Sequence, residues 1–365
     1  MGLYKRNRRD FLTSGTAAMV ATGVAPAIHG ATDKAAARVK VLGPEGHRYE
    51  VHHDHLKPPA GIPWQDTHGV AIDAEGLIYV KHRTKTEKEV DAVVVFDPQG
   101  KVVRSFGKEY HGGGHGIDVR NEGGEEFLYL CDNKGYIAKT SLKGETVWKQ
   151  TAPRLDVYAG ARPFRARRPG DYGKGHKFSP TNIAFGPGGG FYVADGYGSH
   201  YVIEYDAEGS VQGYFGGAGS DSGKFQTPHG IWWDNRPGRT PALLVCDRAN
   251  ARLQYFSAAG AYLGVVDDVL FPADIDTRGS VMVVPDLHAR ITLFDKANRV
   301  IAHLGDDPQW RQKVLADDLA LRRQPQRWEN GRFIHPHDAC FDRAGNLYVA
   351  EWVATGRINF LRHVG

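Results

Sequence analysis

Three histidines lie in similar short phrases, each just ahead of an apolar run. The phrases are GGGHGIDV at 112–119, QTPHGIWWD at 226–234 and IHPHDACFD at 334–342. Imidazole nitrogens bind borderline metals, and catalytic zinc sites use three protein ligands while a fourth position stays open for water or substrate. His115, His229 and His337 could therefore bind one metal ion, provided that the fold brings their three segments together.

The three phrases belong to a unit that occurs six times along the chain. The units begin at residues 68, 115, 181, 229, 273 and 337, with first apolar runs HGVAID, HGIDV, TNIAF, HGIWW, ADIDT and HDACF. Four short antiparallel strands in about 40 to 50 residues are typical of a propeller blade. We therefore predict an all-β fold, a single six-bladed β-propeller that spans about residues 38–365.

Two intervals between units are longer than the others and indicate insertions. One, at 153–178, is basic and rich in proline and glycine; the other, at 307–329, has apolar residues at helical spacing that predict a helix over 310–323. The sixth unit stops after its third strand, INFLRH. Because an open sheet edge invites mispairing, we predict that the upstream segment 47–56 supplies the outer strand and closes the ring.

The first residue of each unit defines a column around the predicted central channel. In order, the column consists of His68, His115, Thr181, His229, Ala273 and His337. Blades two, four and six lie a third of a turn apart, so their histidines should converge with threefold symmetry on zinc or another divalent transition metal. His68 breaks the alternation, and it can be a supporting, a substrate-facing or a structural residue.

A second column follows the second strand of each unit and is mostly acidic. It consists of His82, Asp132, Asp195, Asp247, Asp286 and Glu351. Recurrent acids at turns favour a structural interpretation, because carboxylates cap backbone N–H groups there. Beside this column, Arg83 and Tyr197 have unlike equivalents in most of the other units. An arginine can hold a carboxylate and a tyrosine near a metal can accept a proton, so both are candidate catalytic residues.

Composition and the N-terminal segment bear on where the protein works. The chain has 365 residues, 41% of them hydrophobic, and a net charge of only +4, which gives no argument for nucleic-acid binding. Residues 1–31 have a basic start with Arg8 and Arg9, an apolar stretch too short for a stable membrane anchor, and a small-residue cleavage site. This pattern predicts a twin-arginine export signal and a periplasmic or extracellular protein.

Longer stretches of the sequence resemble a known family. The stretches are PTNIAFGPGGGFYVADGYGSHYVIEYDAEGSVQGYFGG, GKFQTPHGIWWD, LLVCDRANARLQYF and HPHDACFD. They are similar to the NHL-repeat propeller of the peptidyl-α-hydroxyglycine α-amidating lyases, and the similarity covers most of the chain after about residue 65. The resemblance implies an exported lyase that cleaves the N–C bond of an α-hydroxyglycine-like group to give an amide and glyoxylate.

The same resemblance implies roles for individual residues. It implies zinc ligation by the three histidines already named, a catalytic arginine at Arg83 in KHRT and a catalytic tyrosine at Tyr197 in DGY. It also implies a structural calcium held by the Asp338 side chain and the backbone carbonyls of Val70 and Ile117, and such hard oxygen ligands suit calcium.

This chain departs from the family pattern at three places. Thr84 and Lys85 follow Arg83 where the family has a Gly-Asp pair, and His335 replaces an apolar residue. The family's disulfide cysteines around the DGY phrase are absent, and the three cysteines of this chain are far apart. These departures concern the substrate more than the metal site.

Three other functions remain open at this stage. A non-catalytic propeller could bind a protein or a glycan, because the fold alone does not fix function. A lactonase-like hydrolase could use an axial metal, although such sites favour carboxylate and Asn ligands. Copper electron transfer is a further option, although no Met or Cys occupies the column. The basic segment 161–177 is either a solvated loop or an attractor of anionic substrates. On the main hypothesis, a small molecule or peptide binds in the axial channel.

Overall fold

A computed structural model describes residues 39–53, 55–159 and 177–365. These residues form six antiparallel sheets arranged as a six-bladed β-propeller, so the predicted fold class is confirmed. At five of the six junctions between neighbouring blades the first strands contact each other, which places these strands around the central axis. Side chains from facing sheets fill the layers between blades, for example Val95 and Leu130 between the first two.

Each of the first five blades is a four-stranded sheet in chain order. Blade one consists of β3 (Asp66–Ile72), β4 (Ile78–Arg83), β5 (Val93–Phe96) and β6 (Val102–Phe106). Blade two consists of β7 (Gly114–Glu122), β8 (Glu125–Asp132), β9 (Tyr136–Ser141) and β10 (Thr146–Thr151). Blade three consists of β11 (Asn182–Phe185), β12 (Phe191–Ala194), β13 (Tyr201–Tyr205) and β14 (Val211–Gly216). Blade four consists of β15 (Pro228–Asp234), β16 (Ala242–Asp247), β17 (Arg252–Phe256) and β18 (Tyr262–Val266). Blade five consists of β19 (Asp276–Arg278), β20 (Val281–Asp286), β21 (Arg290–Phe294) and β22 (Val300–Leu304).

The sixth blade joins the two ends of the described chain. It consists of β23 (Pro336–Phe341), β24 (Leu347–Glu351), β25 (Arg357–His363), β2 (Tyr49–His52) and β1 (Lys40–Leu42). The β2 strand pairs antiparallel with β25, with Tyr49 opposite His363, so the predicted closure by an N-terminal strand is confirmed. The β1 strand pairs outside β2 and adds a fifth strand that the repeat pattern did not predict.

The His-Gly phrase has a structural cause. In blades one, two, four and six the pairing of the first strand shifts register at or beside the histidine, which marks a β-bulge. A Cβ atom on Gly116 would lie 2.6 Å from the carbonyl oxygen of Thr181, and one on Gly230 would lie 2.3 Å from the Cα atom of Asp274. Glycine therefore lets the inner strand of the next blade approach closely.

The second-column acids are structural, as predicted. Asp247 accepts a hydrogen bond from the backbone N–H of Gln226 at 2.6 Å, and Glu351 accepts one from Ile334 at 3.2 Å. Each donor lies three residues ahead of an axial histidine. Each of these two acids thus anchors the segment that enters the inner strand of its own blade, and so it fixes the position of the histidine.

The insertion at 307–329 contains a shorter helix than the predicted 310–323. The helix α1 runs over Pro308–Leu315 and is followed by 3-10 turns. Asp307 caps its N terminus by accepting from two backbone N–H groups, which explains the earlier start. Leu319 and the two residues before it have positive φ, so the helix cannot continue.

The 3-10 turns of the described chain are three or four residues long and lie in the connections between strands. They lie at Lys108–Tyr110, Asp156–Tyr158, Pro187–Gly189, Arg248–Asn250, Ala320–Arg323 and Pro325–Arg327. No helix in the described ranges is long and apolar enough to cross a membrane. The predicted signal at 1–31 and nearly all of the basic segment 161–177 lie outside the described residues.

Candidate metal centre and active site

The structure brings the three predicted histidines together at the channel axis. His115, His229 and His337 lie near the start of the first strands of blades two, four and six, and each is at least 96% buried. Their ring centroids are 4.7, 4.8 and 4.9 Å apart, which is close to an equilateral triangle. The alternate-blade symmetry read from the sequence is therefore present in the fold.

A backbone carbonyl of the neighbouring odd-numbered blade orients each of these rings. The Nδ1 atoms lie 2.7 Å from Thr181 O for His115, 2.6 Å from Ala273 O for His229 and 2.7 Å from His68 O for His337. Because a carbonyl oxygen can only accept, each Nδ1 must carry the proton and each Nε2 must present a lone pair. The first column thus supplies both the rings and the carbonyls that orient them.

The donor set fits a borderline divalent cation. Burial holds the pKa of all three imidazoles well below the usual value, so the rings are neutral. The Nε2 atoms of His115 and His229 are 3.1 Å apart, so two lone pairs face each other at contact distance. Tetrahedral bonds of 2.0 to 2.1 Å to zinc would set two ligand nitrogens about 3.3 Å apart. A cation between them would turn this repulsion into ligation.

His68 offers a second possible triplet. Its ligand nitrogens and those of His115 and His337 lie within 4.8 Å of one another. The Nδ1 of His68, however, contacts Asp66 of its own strand at 3.2 Å, a longer and more local tether than those of the other rings. The triplet with His229 has the more even spacing and a uniform set of tethers, and we favour it as the ligand set.

Tyr197, the candidate catalytic tyrosine, lies beside the histidines. Its hydroxyl is 3.1 Å from Nε2 of His229, and the His115 and Tyr197 rings form a T-shaped pair with a centroid distance of 5.3 Å. The Tyr197 side chain is 38% exposed, so a ligand can reach the hydroxyl from the channel mouth.

Arg248 is a site residue that the sequence reasoning missed. Its Nη1 donates to the Tyr197 hydroxyl at 2.9 Å, and its Nη2 is buried with no partner. A signal existed, because Arg248 directly follows the second-column residue of blade four, as Arg83 follows that of blade one.

Arg83 lies at the end of β4, at the same mouth of the channel. Its Nη2 pairs with Asp66 at 3.0 Å, its Nη1 reaches Asn133 at 3.5 Å, and its Nε is buried without a partner. After burial, the largest influence that lowers the pKa of His68 is the charge of Arg83, and for His229 it is the charge of Arg248. Two guanidinium groups with unused donors therefore flank the histidines, an arrangement suited to an anionic ligand.

Carboxylates gather on the other side of the histidine ring, around the predicted calcium ligands. A cavity of about 350 Å³ is lined by Val70, Ile117, Asp118, Asp274, Asp276 and Asp338 among others. The Asp338 carboxylate accepts from the backbone N–H of Val70 at 2.9 Å.

Three further acids in this cavity were not predicted. Burial raises the pKa of Asp118 and Asp274 well above the usual value and that of Asp276 to about 7. Oxygen ligands that prefer to stay protonated without a counter-charge suit a hard cation such as calcium. Asp274 follows the first column directly, as Asp338 does, and this shared position could have revealed it.

Comparisons with known proteins agree with the fold and with the resemblance. No protein-family model matches the chain. A virginiamycin B lyase from Staphylococcus aureus superposes with a TM-score of 0.52 at 12% identity, over 87% of this chain and all of that one. A gluconolactonase from Xanthomonas campestris gives a TM-score of 0.53 at 13% identity, over 87% and 89% of the two chains. At these identities the likeness concerns the propeller fold alone.

Sequence relatives are more specific. The chain is 28% identical over 194 residues to peptidyl-alpha-hydroxyglycine alpha-amidating lyase 1 of Drosophila melanogaster, which is 49% of this chain and 34% of that protein. It is 23% identical over 168 residues to a probable lyase of the same kind from Caenorhabditis elegans, 46% and 43% of the two chains. The match spans less than half the length of either relative. The chain is thus a six-bladed propeller that resembles the amidating lyases over about half of its length.

Proposed function

We propose that this protein is a metal-dependent carbon–nitrogen lyase that acts on an α-hydroxyglycine-like group and releases an amide and glyoxylate. The observation that carries the proposal is the convergence of three neutral imidazoles with the Tyr197 hydroxyl at one mouth of the channel. The partial similarity to the amidating lyases supports the same reaction class.

His115, His229 and His337 would hold zinc or a similar divalent ion through their Nε2 atoms. When bound, such an ion supplies a Lewis acid that polarises a substrate oxygen. The backbone carbonyls that bind Nδ1 hold the rings in the tautomer required for ligation and increase their basicity.

The other residues of the mouth would bind the substrate and move one proton. Arg83 and Arg248 would hold the substrate carboxylate through their unused N–H donors. Tyr197, as the phenolate, would accept the proton of the substrate hydroxyl, and the donor Nη1 of Arg248 would stabilise that phenolate.

The atoms of the reaction balance without a further reactant. The electron pair of the hydroxyl O–H bond becomes the second C–O bond of glyoxylate. The electron pair of the N–C bond stays on the amide nitrogen, which takes the proton from Tyr197. The products are then an amide and glyoxylate, and Tyr197 returns to its starting state.

We place a structural calcium ion and an extracytoplasmic location within the same proposal. Calcium would bind Asp338 with the carbonyls of Val70 and Ile117, and the raised pKa of Asp274 supports a site that lacks its counter-charge. The twin-arginine pattern before residue 31 supports export to the periplasm or the exterior. The substrate would be a small molecule or a peptide that enters at the channel mouth where Tyr197 and Arg83 lie beside the histidines.

The test is glyoxylate release from an N-acyl-α-hydroxyglycine by zinc-loaded protein, with the amide product measured in the same sample. We expect equal amounts of both products, and we expect a chelator to abolish their formation. Absence of glyoxylate from zinc-loaded, folded protein would refute the lyase. Hydrolysis of a sugar lactone by the same sample, supported by calcium alone, would favour the lactonase, and neither activity would leave a binding propeller.

A further inference from the structure

A single carboxylate connects Arg83 to the insertion at 307–329. One oxygen of Asp66 pairs with Nη2 of Arg83 at 3.0 Å, and the other oxygen pairs with Nη2 of Arg322. The Asp66 side chain is 13% exposed and those of Arg83 and Arg322 are 20% and 12% exposed. The three groups therefore form a mostly desolvated row at the channel mouth, where charge interactions are strong.

The insertion holds Arg322 firmly in this row. The guanidinium lies 3.6 Å from the centroid of the Trp352 ring, and its Nε donates to the Trp352 carbonyl at 3.2 Å. The Arg322 carbonyl accepts from Ala354 N–H at 3.0 Å. The preceding residue, Leu321, is buried in an apolar cluster with Trp310 and Val314 of α1. Arg322 is thus a fixed part of the mouth although it belongs to an insertion.

Arg322 changes both the net charge of this row and the way in which Asp66 binds Arg83. Arg83 and Asp66 alone would be a neutral pair, and Asp66 could take both terminal nitrogens of Arg83 in a bidentate bond. With Arg322 on the second oxygen, Asp66 engages only one nitrogen of Arg83, and the row has a net charge of +1. Nη1 and Nε of Arg83 then stay available, as the weak contact of Nη1 and the unpaired Nε indicate.

We propose that Arg322 is a positioning residue that occupies one oxygen of Asp66 and so leaves N–H donors of Arg83 free to bind a carboxylate ligand. This rests on the proposed function only in assigning the carboxylate to Arg83. It gives the insertion a role in ligand binding that the repeat architecture alone does not supply.

The test is the binding of N-acetylglycine to zinc-loaded protein by calorimetry, because this carboxylate lacks the α-hydroxyl group and cannot be cleaved. Arg322→Gln should weaken binding roughly tenfold, the range of one charge-assisted hydrogen bond. Arg322→Lys keeps the charge beside Asp66 and should stay within about threefold of the wild type. Arg323→Gln, an exposed neighbour whose guanidinium contacts the Asp318 carbonyl, is the matched control and should have no effect.

Circular dichroism and melting of each variant separate misfolding from lost binding. Equal binding by Arg322→Gln and Arg323→Gln would overturn the proposal. A Lys variant as weak as the Gln variant would also overturn it, because the Trp352 contacts would then matter rather than the charge. Failure of the wild type to bind N-acetylglycine would overturn it as well. If binding follows the expected order but no glyoxylate is released, the lyase fails and the positioning role stands.

Discussion

Replacing Tyr197 with phenylalanine removes one oxygen atom from the centre of the site. The ring keeps its edge contacts with His115 and His229, at 5.3 and 5.6 Å, so the metal ligands should stay in place. The lost hydroxyl is the partner of Nη1 of Arg248 at 2.9 Å, and its removal leaves a charged donor to be satisfied by water or ligand. We expect a loss of unfolding free energy no larger than about 1 to 3 kcal/mol.

The effect on catalysis should be much larger. A positioned general base contributes roughly 10²- to 10⁴-fold, so kcat for glyoxylate release should fall by that factor, about 3 to 5 kcal/mol in activation free energy. Zinc content should not change. Steady-state kinetics, metal analysis and melting on the same preparation measure the three quantities.

Tyr214→Phe is the matched control for this experiment. Tyr214 is 36% exposed, close to the value for Tyr197, and its hydroxyl donates to Asp156 at 2.8 Å. It lies in β14, the outermost strand of blade three, and so it is remote from the histidines at the axis. It should keep full activity. If Tyr197→Phe retains kcat within about threefold of wild type, proton transfer by Tyr197 is wrong.

Three further predictions concern the rest of the propeller. The pKa of Asp276 near 7 is raised above its unfolded value, so without a cation its protonated form is favoured below pH 7 and stability falls as the pH rises through 7. Calcium should therefore raise Tm more at pH 8 than at pH 6, and Asp338→Asn should abolish the difference; an equal shift at both pH values would contradict this. Asp234→Ala leaves Arg236 buried without its partner at 2.8 Å and should cost about 3 to 5 kcal/mol in a denaturant melt; a loss below about 1 kcal/mol would refute this. Deleting residues 39–52 should expose the edge of β25 and cause concentration-dependent aggregation in light scattering, and a monomeric, fully stable deletion variant would contradict the closure.

The fold and the histidine triangle could be predicted because the repeat carries them. Each unit repeats the same strands, so a residue's position in the unit gives its place around the axis without any coordinates. The three-way convergence of His115, His229 and His337 follows from that symmetry. The strand at Tyr49–His52 was predictable for a related reason, since the last unit is one strand short.

Contacts that break the symmetry could not be predicted in this way. Arg322 lies in an insertion that has no counterpart in other blades, so no column places it beside Asp66. The end of α1 depends on positive φ at three consecutive residues, which tertiary packing imposes against their preference. Arg248 could be predicted in part. Its position in the repeat follows from the sequence, but its hydrogen bond to the Tyr197 hydroxyl depends on side-chain conformation.

Metal analysis of three purified proteins tests the central claim most directly. Wild type, His229→Ala and His68→Ala are loaded with zinc, dialysed and measured by elemental mass spectrometry. The account predicts near-stoichiometric zinc in the wild type and in His68→Ala, and its loss from His229→Ala. Retention of zinc by His229→Ala with its loss from His68→Ala would assign the site to the other triplet. Absence of bound zinc from the folded wild type would contradict the metal centre itself.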